Sequence, residues 1–525
     1  MSNNKPWFVA ALLLGSVIVT GLTSCSDDDK PSVEIKEFTI DLSDIQLVDS
    51  GEFKNRVFLQ EAIQQASSDN DGQDHEELLE FYREALREQE DFETRLFDSL
   101  QAANPGNSVD AIASQMYEDI SSGFHILRHP GTLADGSVGM LSTLIVFPKT
   151  FWINANAKKV ILGCHFTVTG DHEVPSKYKD LDYASDAHVL TGEWVIPQAS
   201  AALLIMPDYE GYGATSDRSH PYLSREVQAR QCMESVVAAI KWFTDDHGMR
   251  LKDNCKMVSI GYSQGGAVSA ATYRFYLEHK SEPWLKDMPF YAGAVCGDGP
   301  YDPLATVMTY INTNKLYMPV APALVLKALC DTDPDMIRAG CQYKDFCTEG
   351  FMNTGIFDRL ATKRSTTDMC DNAIFAYADN HPDSLQYITE NGRKVLPTNQ
   401  AFNQATITYL NTGQLIRHAP EEKLRTLRNC LMKNSLLYNF TIPDGAKFTF
   451  FHSVDDEVVP FSNLQALLNA WGDSNLKAYK YETGTKTHVG TGRSFYLNYS
   501  DDYVFDILGN YKWSSGTSTI TGKYY

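Results

Sequence analysis

The hexapeptide Gly-Tyr-Ser-Gln-Gly-Gly at residues 261–266 is the strongest chemical signal in the sequence. A serine between glycines at this spacing is typical of a nucleophile held on a sharp turn between a strand and a helix. An apolar run, Met257 to Ile260, precedes the turn, and a helix-forming run, Ala267 to Ala271, follows it. The glycines leave space where the backbone folds back on itself. We therefore predict that Ser263 is a nucleophile.

A serine hydroxyl is a weak nucleophile at neutral pH, so it requires a base and a group that orients the base. Three consecutive carboxylates, Asp455, Asp456 and Glu457, follow the apolar run that ends at Phe451, and His488 comes later in the chain. The order serine, acid, histidine differs from the orders in chymotrypsin and subtilisin. We predict that His488 is the base and that one of the three carboxylates orients it.

Six short apolar runs predict the strands that must position these groups. Runs of this kind, separated by helical stretches, are typical of buried strands in a parallel sheet covered by helices. The sequence therefore predicts an α/β fold with a mostly parallel central sheet and helices on both faces. The runs are Leu141 to Phe147, Val160 to Cys164, Ala202 to Met206, Met257 to Ile260, Tyr291 to Cys296 and Phe448 to Phe451.

The remaining chain divides around this predicted core. Residues 51–113 contain leucines at helical spacing and predict an N-terminal helical extension. The core itself is predicted in two parts, residues 114–302 and 447–525. Residues 303–446, between them, are mainly helical by pattern, and an insert of this length before the strand that precedes the carboxylates is typical of a cap or lid.

Composition limits the classes of protein that this chain can belong to. Of 525 residues, 43% are hydrophobic and 11% are aromatic, which is enough to bury a large core and excludes a disordered chain. The 45 basic and 67 acidic residues give a net charge of −22. Because nucleic acids are held by clustered basic residues, we predict no nucleic-acid partner.

Residues 1–24 resemble a bacterial lipoprotein signal peptide. Lys5 precedes an apolar stretch from Trp7 to Leu22, and the sequence Leu-Thr-Ser-Cys ends at Cys25. Lipid on Cys25 would anchor the protein to a membrane through the tether formed by residues 25–50. The alternative is an ordinary secretory signal in which Cys25 is incidental. Both interpretations predict export, and the lipoprotein interpretation predicts the outer membrane or the cell surface.

Cysteine and histidine spacing gives no sign of a metal site. Ten cysteines minus the proposed anchor leave nine, an odd number that cannot pair completely. Four of them could form disulfides, although they match no zinc-binding spacing. The histidines also lack the spacing of paired ligands, and no glycine-rich phosphate loop is present, so we predict neither a metal nor a cofactor. The four cysteines are Cys330, Cys341, Cys347 and Cys370.

Over roughly residues 140–500 the sequence resembles the α/β-hydrolases, and among them most closely the secretory lipase family. Besides the serine motif, the segments that carry this resemblance are 208–213 with 220–222, 297–302 and 456–460. The resemblance implies that Asp456, four residues before a proline, is the catalytic acid. The oxyanion donors would be the backbone N–H of Gln264 and one near Phe166 or Thr167. Where the family leads us to expect His-Gly-Thr, this chain has Phe166, which leaves the second donor open.

The leading hypothesis is an exported, membrane-anchored serine hydrolase of the lipase or esterase type, which cleaves carboxylic esters through an acyl-enzyme. Its substrate would be a small-molecule, lipid or glycan ester. One alternative is a carbohydrate, acetyl or feruloyl esterase, and another is a serine peptidase, because the same triad also cleaves amides. A hypothesis from a different class is a non-catalytic surface lipoprotein that binds glycans or lipids. The sequence leaves the acyl and alcohol specificity and the oligomeric state open.

Overall fold

The computed structural model describes residues 40–68, 73–149, 156–196, 202–246, 250–365, 368–472, 476–481 and 487–499, together with Val504 and Ile507. The predicted signal peptide and the predicted anchor, Cys25, lie outside the described residues. Within the described residues, no helix combines the length and the apolar character needed to cross a membrane.

Among the described residues, nine strands form one central sheet in the order β1-β2-β3-β5-β4-β6-β7-β10-β11. The six strands from β5 to β11 in this order run parallel, whereas the pairs β1/β2, β2/β3 and β3/β5 are antiparallel. The strands are β1 Gln46–Lys54, β2 Ser121–Thr132, β3 Val138–Pro148, β4 Asn156–Cys164, β5 Leu203–Pro207, β6 Arg250–Tyr262, β7 Phe290–Gly297, β10 Phe448–Ser453 and β11 Leu476–Tyr481. A separate hairpin contains β8 Ile388–Glu390 and β9 Arg393–Val395.

The predicted α/β fold is confirmed, since each of the six apolar runs lies on a strand of this sheet. Strand β2 was not predicted, because its buried face includes polar residues that interrupt the apolar pattern. Ser122 donates to Asn55 at 2.8 Å, and His129 Nε2 lies 2.9 Å from the Thr143 hydroxyl. These hydrogen bonds offset the cost of burying polar groups, so the strand tolerates them.

Helices pack around the sheet in three groups. The N-terminal group is α1 Asn55–Ser68, α2 Gln73–Ala103 and α3 Val109–Asp119; the core group is α4 Asp186–Leu190, α5 Arg225–Lys241, α6 Gln264–His279, α16 Ser462–Trp471 and α17 His488–Ser494. The third group lies between β7 and β10, as the predicted helical cap requires. Its members are α7 Pro303–Thr313, α8 Val320–Thr332, α9 Pro334–Arg338, α10 Glu349–Met352, α11 Ile356–Ala361, α12 Ala376–Asn380, α13 Thr398–Ala401, α14 Gln404–Thr412 and α15 Glu421–Lys433.

Among the described residues, the two largest hydrophobic clusters lie in the body and in the cap. The N-terminal helices contribute to the first core, because Phe58 and Tyr82 belong to the same cluster of buried residues as Ile161 of β4 and Trp194. The Tyr82 hydroxyl also donates to the Tyr183 carbonyl at 2.7 Å. The second core is formed almost entirely by cap residues, with Tyr222 and Leu223 of the body at its edge. The cap is therefore packed as a unit with its own interior.

The cysteine side chains that the structure describes, eight in number, are all free and buried. They include Cys330, Cys341 and Cys347, for which the predicted disulfides are absent, whereas the side chain of Cys370 lies outside the described part of the chain. Burial raises the pKa of the Cys347 thiol to about 12, so this thiol is uncharged at neutral pH. These thiols behave as small apolar core residues.

Candidate active site

Ser263 occupies the single residue between the end of β6 and the start of α6. Its φ of 56° and ψ of −122° lie in a region that non-glycine residues rarely adopt. The Ser263 N–H donates to the Gly297 carbonyl at 2.8 Å, which ties the turn to the end of β7. A Cβ on residue 265 would lie 1.9 Å from the Cys164 carbonyl oxygen. The turn therefore depends on glycine at this position.

Replacing Gly265 with alanine is expected to destabilise the protein by about 3 kcal/mol or more, because the backbone that it meets cannot move aside. Chemical denaturation followed by far-UV circular dichroism measures the change. Gly106→Ala is the matched control, since a Cβ there meets no atom within 4 Å. Equal stability of the two variants would contradict the close approach of the Gly265 and Cys164 backbones.

The structure brings Ser263, His488 and Asp456 into one hydrogen-bonded row. The Ser263 hydroxyl lies 2.9 Å from His488 Nε2, and His488 Nδ1 lies 2.5 Å from Asp456 Oδ2. Asp456 Oδ1 accepts the N–H groups of Val458 and Val459 at 2.8 and 2.7 Å. These two bonds fix the direction of the carboxylate, and this row can transfer a proton from the serine to the imidazole.

The three neighbouring carboxylates have different positions. Asp455 is exposed, and its N–H donates to the Ser453 hydroxyl at 3.3 Å. Glu457 accepts the backbone N–H of His488 at 3.1 Å and pairs with Arg393 at 2.5 Å. Glu457 thus contacts the histidine through its backbone, and Asp456 contacts the imidazole ring.

The pKa of His488 is set by two opposing effects. Burial by itself lowers this pKa, because it disfavours the charged imidazolium. The charge of Asp456 and its hydrogen bond outweigh burial, with further contributions from Asp298 and Glu457, so the pKa is raised above its ordinary value. The site is therefore arranged to stabilise a positive charge on His488.

Two backbone N–H groups near Ser263 could bind an oxyanion. Gln264 is the first residue of α6, so its N–H has no intrahelical partner. Of the two residues predicted to supply the second donor, Phe166 is excluded in this geometry because its N–H donates to Asp186 at 3.0 Å. Thr167 lines the cavity beside Ser263, and its hydroxyl lies 2.9 Å from that of Tyr222. This leaves the Thr167 N–H as the second candidate.

Tyr262 and Asp298 lie beside His488 and are additional residues of the site that the sequence did not predict. The Tyr262 hydroxyl lies 2.6 Å from Asp298 Oδ2 and 2.8 Å from the His488 carbonyl. Asp298 also accepts the Ser453 N–H at 2.6 Å, and burial raises its pKa to about 6. The feature of the sequence that could have indicated Asp298 is its position, two residues after the apolar run that ends at Cys296.

Two buried histidines support the serine turn and the loop after β4. His220 Nδ1 donates to the Glu210 carbonyl at 2.7 Å, so its Nε2 accepts from the Gln264 amide at 2.8 Å. His165 lies 2.7 Å from the Phe166 carbonyl and 3.1 Å from that of Asp208. Burial lowers the pKa of His220 to about 3 and that of His165 to about 4, so both are neutral at pH 7.

Two cavities meet at Ser263. The larger has a volume of about 340 Å³ and is also lined by His488, Asp186 and Arg493. The smaller, of about 40 Å³, extends between Ser263 and the cap helices α7 and α8. A cavity of the larger size is within the range of small-molecule sites in proteins.

The protein is similar to known proteins in its three-dimensional structure. The sequence matches no protein-family model and no curated protein. A rice cell wall degrading esterase from Xanthomonas oryzae, LipA, superimposes with a TM-score of 0.55 at 16% identity over 78% of this chain and 95% of that chain. A proposed hydrolase from Legionella pneumophila superimposes with a TM-score of 0.54 at 15% identity, over 75% of this chain and 91% of that chain. Together with the sheet order, these similarities show that the chain adopts the α/β-hydrolase fold.

Proposed function

We propose that the protein is a serine hydrolase that cleaves carboxylic esters through an acyl-enzyme. The observation that carries this proposal is the row from Asp456 through His488 to Ser263, with contacts of 2.5 and 2.9 Å, beside a cavity of about 340 Å³. The strained turn at Ser263 and the donors next to it supply the other parts that acyl transfer requires.

The reaction would proceed in two halves. His488 takes the proton of Ser263 while the serine oxygen bonds to the ester carbonyl carbon, and the N–H groups of Gln264 and Thr167 bind the resulting oxyanion. The ester C–O bond then breaks, and the alcohol oxygen takes the proton from His488. In the second half, water loses a proton to His488 as it attacks the acyl-enzyme, and Ser263 regains the proton when the acid leaves.

Covalent labelling tests this proposal directly. A fluorophosphonate probe is expected to modify Ser263 in the folded protein, because an activated serine attacks phosphorus as it attacks a carbonyl. Peptide mass spectrometry locates the label, and heat-unfolded protein serves as the control. Absence of labelling in folded protein would contradict the proposal and favour a binding protein that keeps the fold without turnover.

We expect the pH profile of the reaction to follow the raised pKa of His488. Only neutral His488 can accept the serine proton, so kcat/KM falls as the pH decreases through this pKa. The midpoint of the acid limb is therefore expected above pH 6.5. Glu457→Gln removes a nearby negative charge and is expected to move the midpoint to lower pH. A wild-type midpoint below 6.5 would contradict this electrostatic account.

We also propose that the protein is exported and carries lipid on Cys25, on the basis of the signal-like residues 1–24. When the full chain is produced in a Gram-negative host, it is expected to partition into the detergent phase of Triton X-114. Cys25→Ser removes the acceptor thiol and is expected to leave the protein in the aqueous phase. Equal partitioning of the two proteins would contradict lipidation at this residue.

A further inference from the structure

Of the two cavities at Ser263, His488 lines the larger one and not the smaller one. Both are lined by Ser263, Thr167 and Met318, so they open onto the same reacting centre. An ester bound at Ser263 can therefore place one of its two parts in each cavity.

The direction of proton transfer decides which part occupies which cavity. In the proposed reaction the alcohol oxygen takes its proton from His488 Nε2 as the ester C–O bond breaks. The alcohol therefore lies on the histidine side, in the larger cavity. The acyl group extends away from the histidine into the smaller cavity.

The smaller cavity is apolar and tightly bounded. Its walls include Val307 and Tyr310 of α7, Ala321 and Val325 of α8, and Val459, and none of its lining residues is charged. The Tyr310 hydroxyl donates to the Val458 carbonyl, which fixes this wall against the loop that carries Asp456. Since a single water needs roughly 10–15 Å³ of such space, a volume of about 40 Å³ accommodates roughly three non-hydrogen atoms.

The larger cavity combines apolar walls with charged groups. Leu78, Val189 and Leu497 supply apolar surface, while Asp186 and Arg493 place a carboxylate and a guanidinium in the same lining. Asp186 is buried and keeps its side chain in position by accepting the Phe166 N–H. Polar groups in an otherwise apolar lining can bind the hydroxyls of an alcohol and fix its orientation.

Resting on the proposed function, the geometry points to a substrate in which a short acyl group, of about two to four carbons, is esterified to a larger alcohol with several hydroxyls. The smaller cavity selects the acyl group by length. The larger cavity holds the alcohol through apolar contacts and hydrogen bonds to its charged lining.

Hydrolysis of p-nitrophenyl acetate, butyrate and octanoate tests the acyl half of this inference. We expect kcat/KM for acetate or butyrate to exceed that for octanoate at least about tenfold. Val325→Ala enlarges the smaller cavity and is expected to raise the octanoate-to-acetate ratio about fivefold. Val189→Ala, the same change in the larger cavity, is the matched control and is expected to leave the ratio within about twofold.

Acetate esters of different alcohols test the other half. We expect kcat/KM for a methyl glucoside 6-acetate to exceed that for ethyl acetate about tenfold, and Arg493→Met to reduce this ratio about fivefold. Preference for octanoate, or equal use of the two acetates, would overturn the inference while leaving ester hydrolysis intact. If the wild-type protein hydrolysed none of these esters faster than the Ser263→Ala variant, the proposed function itself would be overturned.

Discussion

Ser263→Ala is expected to lower kcat for ester hydrolysis by about 10⁴–10⁶-fold, because it removes the atom that forms the acyl-enzyme. The Ser263 hydroxyl is the group that lies 2.9 Å from His488 Nε2, and no other hydroxyl among the described residues contacts that nitrogen. Initial rates with p-nitrophenyl acetate at pH 8 measure the effect, and the circular dichroism spectrum establishes that the variant is folded.

Ser281→Ala is the matched control for this substitution. Ser281 is exposed on the loop that follows α6, the helix that begins beside Ser263. We expect its activity to stay within about twofold of wild type, as for most exposed substitutions. A folded Ser263→Ala variant that retains a tenth or more of the wild-type rate would contradict the assignment of Ser263 as nucleophile.

Asp456→Asn is expected to lower kcat by about 10³–10⁴-fold. The carboxylate accepts the Nδ1 proton of His488 and so keeps Nε2 free to accept the proton of Ser263. An asparagine can present its N–H₂ group to Nδ1 instead, which favours the wrong tautomer of the imidazole. It also removes the charge that stabilises the imidazolium. The same p-nitrophenyl acetate assay measures the loss.

Asp455→Asn provides a control that is adjacent in sequence and chemically identical. Because Asp455 is exposed, this change is expected to alter kcat less than about twofold. The pair of variants therefore separates the role of one carboxylate from the general charge of the loop. A larger loss in Asp455→Asn than in Asp456→Asn would show that the loop adopts a different arrangement during the reaction.

The apolar runs predicted strands of the central sheet because each of these strands is buried along a continuous segment, so its pattern is local. Five of the six runs lie on parallel strands, whereas the run Leu141 to Phe147 lies on β3, which pairs antiparallel with both of its neighbours. Such a local pattern does not identify β2, because β2 buries serine and histidine side chains whose partners lie on other elements. Strand β1 is largely exposed and has no continuous apolar run. The role of the N-terminal helices was likewise set by distant contacts. Leu78 of α2 lines the cavity beside Ser263, although the two residues are far apart in the chain.

The sequence by itself determined the position of the serine turn, since the glycines that the turn requires, Gly261 and Gly265, lie two residues before and two residues after Ser263. It also limited the acid to three carboxylates and the second oxyanion donor to two residues. The family resemblance favoured Asp456 among the three carboxylates, and only the tertiary structure shows which of these side chains contacts His488 and which N–H group is already engaged. Asp456 turns toward His488 because its other oxygen accepts the Val458 and Val459 N–H groups, and Asp186 engages the Phe166 N–H. The roles of these residues depend on the partners of individual hydrogen bonds. Those partners come from distant parts of the sequence and meet only in the folded chain.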